Sequence, residues 1–187
     1  MGEIFDLIVG VDHDAIRATG ELRWAPATAV LALVSAWWVK GPLLIGLGLA
    51  ADMWGRRLPV AFAAAGVATL AASLVVGQLK DVFDRARPPQ SDPGLGSLVA
   101  LPDNPSFPSG HAATAFAAAT AIAVLCPRLR PWALALAAAV ALSRVYLRVH
   151  FPLDVLAGGL IGAALGALAG FVALRAIGLR ERPAAAA

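Results

Sequence analysis

The chain has 187 residues, of which 59% are apolar and 14% are charged, and its mean hydropathy is +0.76. Soluble domains contain about 45–50% apolar and about 25% charged residues, so this composition excludes an ordinary soluble domain and indicates a membrane protein. The formal charge of +3 does not indicate nucleic-acid binding, because no cluster of lysines and arginines is interleaved with aromatic residues. The single cysteine, Cys126, excludes a disulfide framework and a thiolate metal site.

The first 23 residues predict a segment at the extracytoplasmic surface or the membrane interface. Residues 3–23 carry five acidic residues and no uninterrupted apolar run, a pattern that does not fit a secretory signal peptide. We therefore expect internal apolar segments to insert the chain into the membrane.

Apolar runs in the rest of the chain predict an all-α bundle of about five to six membrane helices. A bilayer core about 30 Å thick requires roughly 20 helical residues. Four runs predict crossings, at 58–79, 109–127, 131–149 and 155–174. We expect these helices to form one domain over residues 24–178, followed by a cytoplasmic tail at 179–187.

The segment 24–54 is interrupted by Lys40, Gly41 and Pro42. One long span would bury Lys40 in lipid, which is costly unless the side chain reaches the interface or faces the bundle. The alternative is a shallow helix at 26–38, with Trp37 and Trp38 at the interface, followed by a short span. Both alternatives predict one crossing.

Charge asymmetry predicts the orientation of the bundle. Five crossings place one set of arginines on the same side of the membrane, which is cytoplasmic by the positive-inside rule. These arginines are Arg56, Arg57, Arg128, Arg130, Arg175, Arg180 and Arg182. The acidic N-terminal segment, the 80–108 loop and the 144–154 turn then face outward.

Glycines recur every four residues in the last apolar run, at Gly158, Gly162, Gly166 and Gly170. Small residues at this spacing allow two helix backbones to approach closely. We favour packing within the bundle, and a homodimer contact is the alternative.

Alternation of the helices brings several polar residues to one membrane face. Lys80 and Arg87 are seven residues apart, so both cations point the same way if the helix continues to Pro88. Snorkelling at the interface is the alternative explanation for either cation alone.

The stretch Pro108–His111 predicts a helix start with Ser109 as its N-cap. Gly110 and His111 then lie in the first turn, where free backbone N–H groups form an anion site. A simple capped helix would explain Ser109 but leaves His111 unexplained.

Pro152 predicts the start of the last helix, with His150 just before it and Asp154 in its first turn. A carboxylate four residues from an imidazole can accept the Nδ1–H bond and leave Nε2 basic. The alternative is an exposed histidine with Asp154 as a favourable helix charge. Beside several cations, two histidines favour phosphoryl transfer, in which one attacks and the other donates a proton.

These segments resemble the signature of the type-2 phosphatidate phosphatase (PAP2) superfamily of membrane lipid phosphatases, whose relatives include vanadate-binding haloperoxidases. That signature reads Lys-x6-Arg-Pro, Pro-Ser-Gly-His and Ser-Arg-x5-His-x3-Asp. It matches Lys80 to Arg87-Pro88, then Pro108 to His111, then Ser143-Arg144 to His150 and Asp154. The resemblance covers about 39–175, and the chain is far too hydrophobic for a soluble haloperoxidase.

The resemblance implies a role for each matched residue. His150 would be the nucleophile that forms a phosphohistidine, Asp154 would orient it, and His111 would protonate the leaving group. The phosphoryl oxygens would be held by Lys80, Arg87, Ser109, Gly110 and Arg144. It implies no metal and no cofactor.

The expected substrate is a lipid phosphate or pyrophosphate in the bilayer, with undecaprenyl or another polyprenyl pyrophosphate as the first choice. Phosphatidate, phosphatidylglycerol phosphate and a polyprenyl-linked sugar phosphate are alternatives. A transporter or a scaffold protein is the non-enzymatic alternative, but a transporter predicts polar residues at mid-membrane depth, which are almost absent.

Overall fold

The computed structural model describes residues 2–19, 24–36, 39–54 and 59–180, and all regular structure in these ranges is helical. A π-helical turn covers Val39–Leu43, and a 3-10 turn covers Pro127–Leu129. The α-helices are α1 (Gly2–Ala18), α2 (Ala25–Val34), α3 (Leu44–Trp54), α4 (Val60–Phe83), α5 (Pro88–Ser91), α6 (Gly110–Leu125), α7 (Arg130–Tyr146) and α8 (Pro152–Arg180).

Helix α6 forms the centre of the bundle, between α4, α7 and α8. Most of its alanines are fully buried, among them Ala113, Ala117 and Ala121. These small side chains let the neighbouring helices pack close to α6. The core is therefore made mainly of close contacts between alanine-rich helix faces.

The glycine stripe of α8 packs against α6, as predicted for a contact within the bundle. A Cβ at Gly162 would lie 2.0 Å from the carbonyl oxygen of Ala113, far inside van der Waals contact. At Gly158 it would lie 2.3 Å from the carbonyl oxygen of Ser109. The stripe therefore brings the first turns of α6 and α8 side by side, whereas a homodimer stays a prediction.

Two segments of the described chain are long and apolar enough to cross a membrane, Val60–Ser91 and Pro152–Gly178. Helices α6 and α7 have 16 and 17 residues, which corresponds to about 24–26 Å at about 1.5 Å per residue. Between 24 and 54 the chain forms two short helices, joined in part by the π-helical turn that contains Pro42. The number of crossings therefore stays a prediction.

Several residues used in the topology prediction lie outside the described part of the chain. These are Trp37, Trp38, Arg56, Arg57 and Arg182, the segment 20–23 and the tail after Arg180. The side chains of Lys40 and Arg180 lie outside it as well. The orientation of the bundle stays a prediction.

Helix α4 does not continue to Pro88, so the condition under which Lys80 and Arg87 would share one helix face is not met. Asp84 adopts a left-handed conformation, with φ 38° and ψ 41°, and ends the helix. Aspartate tolerates this conformation better than most residues, and a left-handed residue is a common helix end. The following loop, not the helix, carries Arg87 into the bundle.

Candidate active site

The turn between α7 and α8 presents His150 to the interior of the protein. Arg148 has φ 58° and reverses the chain, and the backbone N–H of Val149 donates to the carbonyl of Arg144 at 3.2 Å. His150 is only 2% exposed. Helix α8 begins at Pro152, as predicted, and carries the buried Asp154 in its first turn.

His150 and Asp154 form a buried pair that Ser106 completes. The distance from Nδ1 of His150 to Oδ2 of Asp154 is 3.5 Å. The hydroxyl of Ser106 donates to the same carboxylate oxygen and lies 3.4 Å from Nδ1. The backbone N–H of Phe151 also donates to Oδ2, at 2.9 Å. The carboxylate is therefore held in one orientation toward the imidazole.

Arg87 lies against the other nitrogen of the ring, with its Nη1 atom 3.3 Å from Nε2 of His150. A guanidinium can only donate, so Nε2 accepts and the ring proton of neutral His150 lies on Nδ1. The other Arg87 donors bond to the carbonyls of Val149 and Pro105 and to two oxygens of Asn104. All five donors thus have partners, which fixes the guanidinium in place.

Lys80 reaches the same place from the last turns of α4. Its ammonium group donates to the carbonyl of Pro105, which also accepts from Arg87 at 3.4 Å. The structure therefore brings the two cations together through the 104–105 backbone and not along one helix.

The start of α6 adjoins the His150–Asp154 pair. Ser109 is its N-cap, as predicted, and the Ser109 hydroxyl accepts from the N–H of Ala112 at 3.4 Å. The N–H of Ser109 donates to the carbonyl of Asp154 at 2.8 Å. Gly110 and His111 form the first turn of α6 and are partly exposed, so they lie where a helix N-terminus attracts anions.

Arg144 lies in the last turn of α7 and is 5% exposed. One NH group of Arg144 donates to the hydroxyl of Ser35, just after α2. Its charge still acts on His150. Arg144 is therefore close enough to act on His150 by its charge, while its guanidinium is bonded to Ser35.

Burial lowers the pKa of His150, which lies in the turn outside the spanning helices, from 6.5 to about 4. The hydrogen bond from the Nδ1–H of His150 to Asp154 raises the pKa, and the charges of Arg87 and Arg144 lower it. Burial and cations prevail over the carboxylate, so the imidazole is neutral at physiological pH and its Nε2 carries a lone pair, not a proton.

Asp12 and Arg85 extend this network beyond the residues that the sequence predicts. Arg85 donates to Asp154 Oδ1 and to Asp12 Oδ2, both at 2.6 Å. Asp12 comes from α1 and is 2% exposed. The carboxylates of Asp12 and Asp154 thus form ion pairs with the same guanidinium, that of Arg85.

A cleft of about 330 Å³ opens beside the network. It is lined by Asp84, Arg85, Ala86, Gln90, Asp103, Asn104 and Pro105. The loop that holds Lys80 and Arg87 therefore forms one wall of an accessible space.

Comparison with known proteins identifies the family of the chain. The sequence profile of the PAP2 superfamily matches residues 61–175. The chain belongs to the PAP2 superfamily. The match includes every residue of the three PAP2 segments, from Lys80 to Asp154, and leaves α1 outside.

Two curated PAP2 relatives are similar in sequence. A Mycolicibacterium smegmatis decaprenylphosphoryl-5-phosphoribose phosphatase is 35% identical over 156 residues, 81% of this chain and 79% of that protein. The Escherichia coli K12 protein YbjG, a candidate undecaprenyl-diphosphatase, is 37% identical over 134 residues, 67% of this chain. The chain spans 64% of the length of YbjG and 56% of a Mycobacterium tuberculosis relative.

A solved PAP2 structure has the same fold. It is a transmembrane PAP2-type phosphatidylglycerolphosphate phosphatase from Bacillus subtilis, with a TM-score of 0.67 and 25% identity, covering 94% of this chain and 89% of that one. The hydropathy, the spanning segments and this membrane neighbour identify the chain as a membrane protein with an all-α fold.

Sequence reasoning missed four residues of this PAP2 site: Asp12, Arg85, Asn104 and Ser106. Arg85 could have been found from the sequence, because it is a second arginine within the Lys80–Arg87 motif. Ser106 and Asn104 lie just before the Pro108–His111 motif, in a loop with no hydrophobic periodicity that would single them out. Nothing near Asp12 in sequence links it to a residue more than 70 positions away.

Proposed function

We propose that this PAP2 protein is a metal-independent lipid phosphatase that works through a phosphohistidine on Nε2 of His150. The observation that carries the proposal is the arrangement around that imidazole. Its Nδ1 faces a fixed carboxylate, its Nε2 faces a guanidinium, and a helix N-terminus lies alongside. This is the environment that an attack on phosphorus requires.

In the first step Nε2 attacks the phosphorus atom, and the bond from phosphorus to the leaving oxygen breaks. His111 gives a proton to that oxygen, while the Nδ1 proton stays between His150 and Asp154. Arg87 exchanges its bond to Nε2 for a bond to a phosphoryl oxygen. Lys80, Arg144, the Ser109 hydroxyl and the backbone N–H of Gly110 hold the other oxygens and stabilise the transition-state charge.

In the second step a water molecule attacks phosphorus, and the bond from phosphorus to Nε2 breaks. His111 accepts the proton of the water, which returns both histidines to their starting forms and releases phosphate. Positive charge comes from Lys80, Arg87 and Arg144, so no step requires a metal ion.

The proposed substrate is a polyprenyl pyrophosphate, with undecaprenyl pyrophosphate first. Its support is the names of the relatives, which include phosphatases of undecaprenyl- and decaprenyl-linked phosphates. The B. subtilis structure supports phosphatidylglycerol phosphate as the second candidate.

The deciding experiment measures phosphate release by the detergent-purified chain from undecaprenyl pyrophosphate, phosphatidylglycerol phosphate, phosphatidate and a polyprenyl-linked sugar phosphate. We expect activity that survives EDTA and is lost in His150→Ala. We also expect an acid-labile phosphate on the His150 peptide after rapid quenching. Activity that requires a divalent ion, or persists in His150→Ala, would overturn the mechanism.

We further propose a multi-pass protein whose site faces the extracytoplasmic side. Gln90 and Arg128 are both exposed and lie on opposite sides in the predicted topology. In a Cys126→Ala background, an impermeant thiol reagent is expected to label Gln90→Cys in intact cells and Arg128→Cys only after lysis. The reverse pattern would invert the proposed orientation.

A further inference from the structure

Helix α1 lies directly behind the candidate active site. Ile16 is fully buried and packs with Phe151, and the ring of His13 lies 4.7 Å from the ring of the same phenylalanine. Arg17 pairs with Asp92 at 2.9 Å. One face of α1 therefore contacts both the 144–154 turn and the loop after α5.

Asp12 lies on this face and uses both carboxylate oxygens. Its Oδ2 accepts from Arg85 at 2.6 Å, and its Oδ1 accepts from the backbone N–H of Leu153 at 2.9 Å. Leu153 belongs to the first turn of α8, whose N–H groups lack partners within the helix. Asp12 thus caps, from another helix, the turn that carries Asp154.

Arg85 connects Asp12 to the nucleophile. It donates to Asp154 Oδ1 at 2.6 Å, and its guanidinium lies 4.1 Å above the ring of Phe151. Because Arg85 is shared between two carboxylates, Asp12 offsets part of the positive charge of Arg85. Arg85 then neutralises less of the negative charge of Asp154, which acts on the imidazole of His150.

We propose that Asp12 is a positioning residue for His150, acting through Arg85 and the first turn of α8. The inference rests on the proposed function of His150 as nucleophile. Asp12 touches neither the phosphoryl group nor the imidazole, so its effect is on the orientation and charge of Asp154. It makes α1 a part of the catalytic apparatus, although α1 lies outside the family match.

The test compares Asp12→Asn with Asp14→Asn, an exposed neighbour that undergoes the same change of charge. An asparagine at this position can still accept the hydrogen bond from the backbone N–H of Leu153, but it no longer offsets the positive charge of Arg85. We expect kcat on undecaprenyl pyrophosphate or phosphatidylglycerol phosphate to fall about 10- to 100-fold in Asp12→Asn, with KM within about twofold of wild type. Asp14→Asn is expected to match the wild type, and Asp12→Glu to recover part of the activity.

A second readout does not depend on turnover. The chain has three histidines, so ¹⁵N-histidine labelling resolves each imidazole, and His150→Gln assigns one. The charged groups acting on His150 are Asp154, Arg87 and Arg144. In Asp12→Asn we expect His150 to titrate at lower pH than in the wild type, because Arg85 withdraws charge from Asp154.

Loss of α1 packing has the opposite effect, because water then reaches His150 and raises its pKa toward 6.5. Ile16→Ala provides that comparison. A titration in Asp12→Asn that is unchanged, or that moves upward as in Ile16→Ala, would overturn the inference. An inactive wild type would instead refute the phosphatase proposal, while the histidine titration still tests the link from Asp12 to His150.

Discussion

Gly162→Ala tests the contact on which the whole site depends. A Cβ at this position would lie 2.0 Å from the carbonyl oxygen of Ala113, whereas ordinary contacts begin at 3.4 Å. Because the obstacle is backbone, no rotamer change relieves it, and α8 must move away from α6 by about 1.4 Å.

This displacement has consequences for both stability and chemistry. Overpacking of this kind costs about 1–3 kcal/mol, which lowers the melting temperature of a chain of this size by roughly 2–12 °C. The N–H of Ser109 donates to the carbonyl of Asp154 at 2.8 Å, and an added 1 Å or more breaks that bond. The first turn of α6, which we propose binds the phosphoryl group, then moves away from His150, and a misplacement of about 1 Å reduces turnover about 100-fold.

The assay is thermal unfolding in detergent followed by circular dichroism, together with phosphate release at saturating substrate. Gly178→Ala is the matched control, since it lies on the same helix and its Cβ would meet no atom within 4 Å. We expect Gly178→Ala to retain wild-type stability and activity. If Gly162→Ala matches Gly178→Ala in both measurements, the close packing of α6 on α8 is refuted.

Three further predictions concern His150 and its partners. Ser106→Ala removes a donor to the Asp154 carboxylate and is expected to lower kcat about tenfold with little change in KM; an unchanged kcat would exclude Ser106 from positioning Asp154. Since the pKa of His150 is lowered to about 4, kcat/KM, corrected for substrate ionisation, is not expected to decline as the pH falls from 7 to about 5. A decline on acidification with a midpoint near pH 6.5 would contradict the buried neutral imidazole. The unfolded chain binds a proton at His150 below pH 6.5, but the folded chain does so only near pH 4. The stability that this residue contributes above pH 6.5 is therefore lost as the pH falls from 6.5 to 4. Over that range the melting temperature of His150→Gln is expected to fall less than that of the wild type.

Local sequence was sufficient for the features that depend on neighbouring residues. Long apolar runs, the Ser109 N-cap and the start of α8 at Pro152 follow from burial and backbone chemistry within one or two turns. The four-residue glycine repeat also predicted a close helix contact, because it places the small residues on one side of α8. The motif spacing indicated the candidate catalytic residues in the same way.

The tertiary structure decided how these residues meet. Helix α4 ends at Phe83, so Arg87 reaches His150 from a loop that Asn104 and Pro105 hold in place. Asp12 accepts a hydrogen bond from a residue 141 positions away. Such contacts leave no periodic pattern, because they depend on which helix faces pack together and not on the spacing within any one segment.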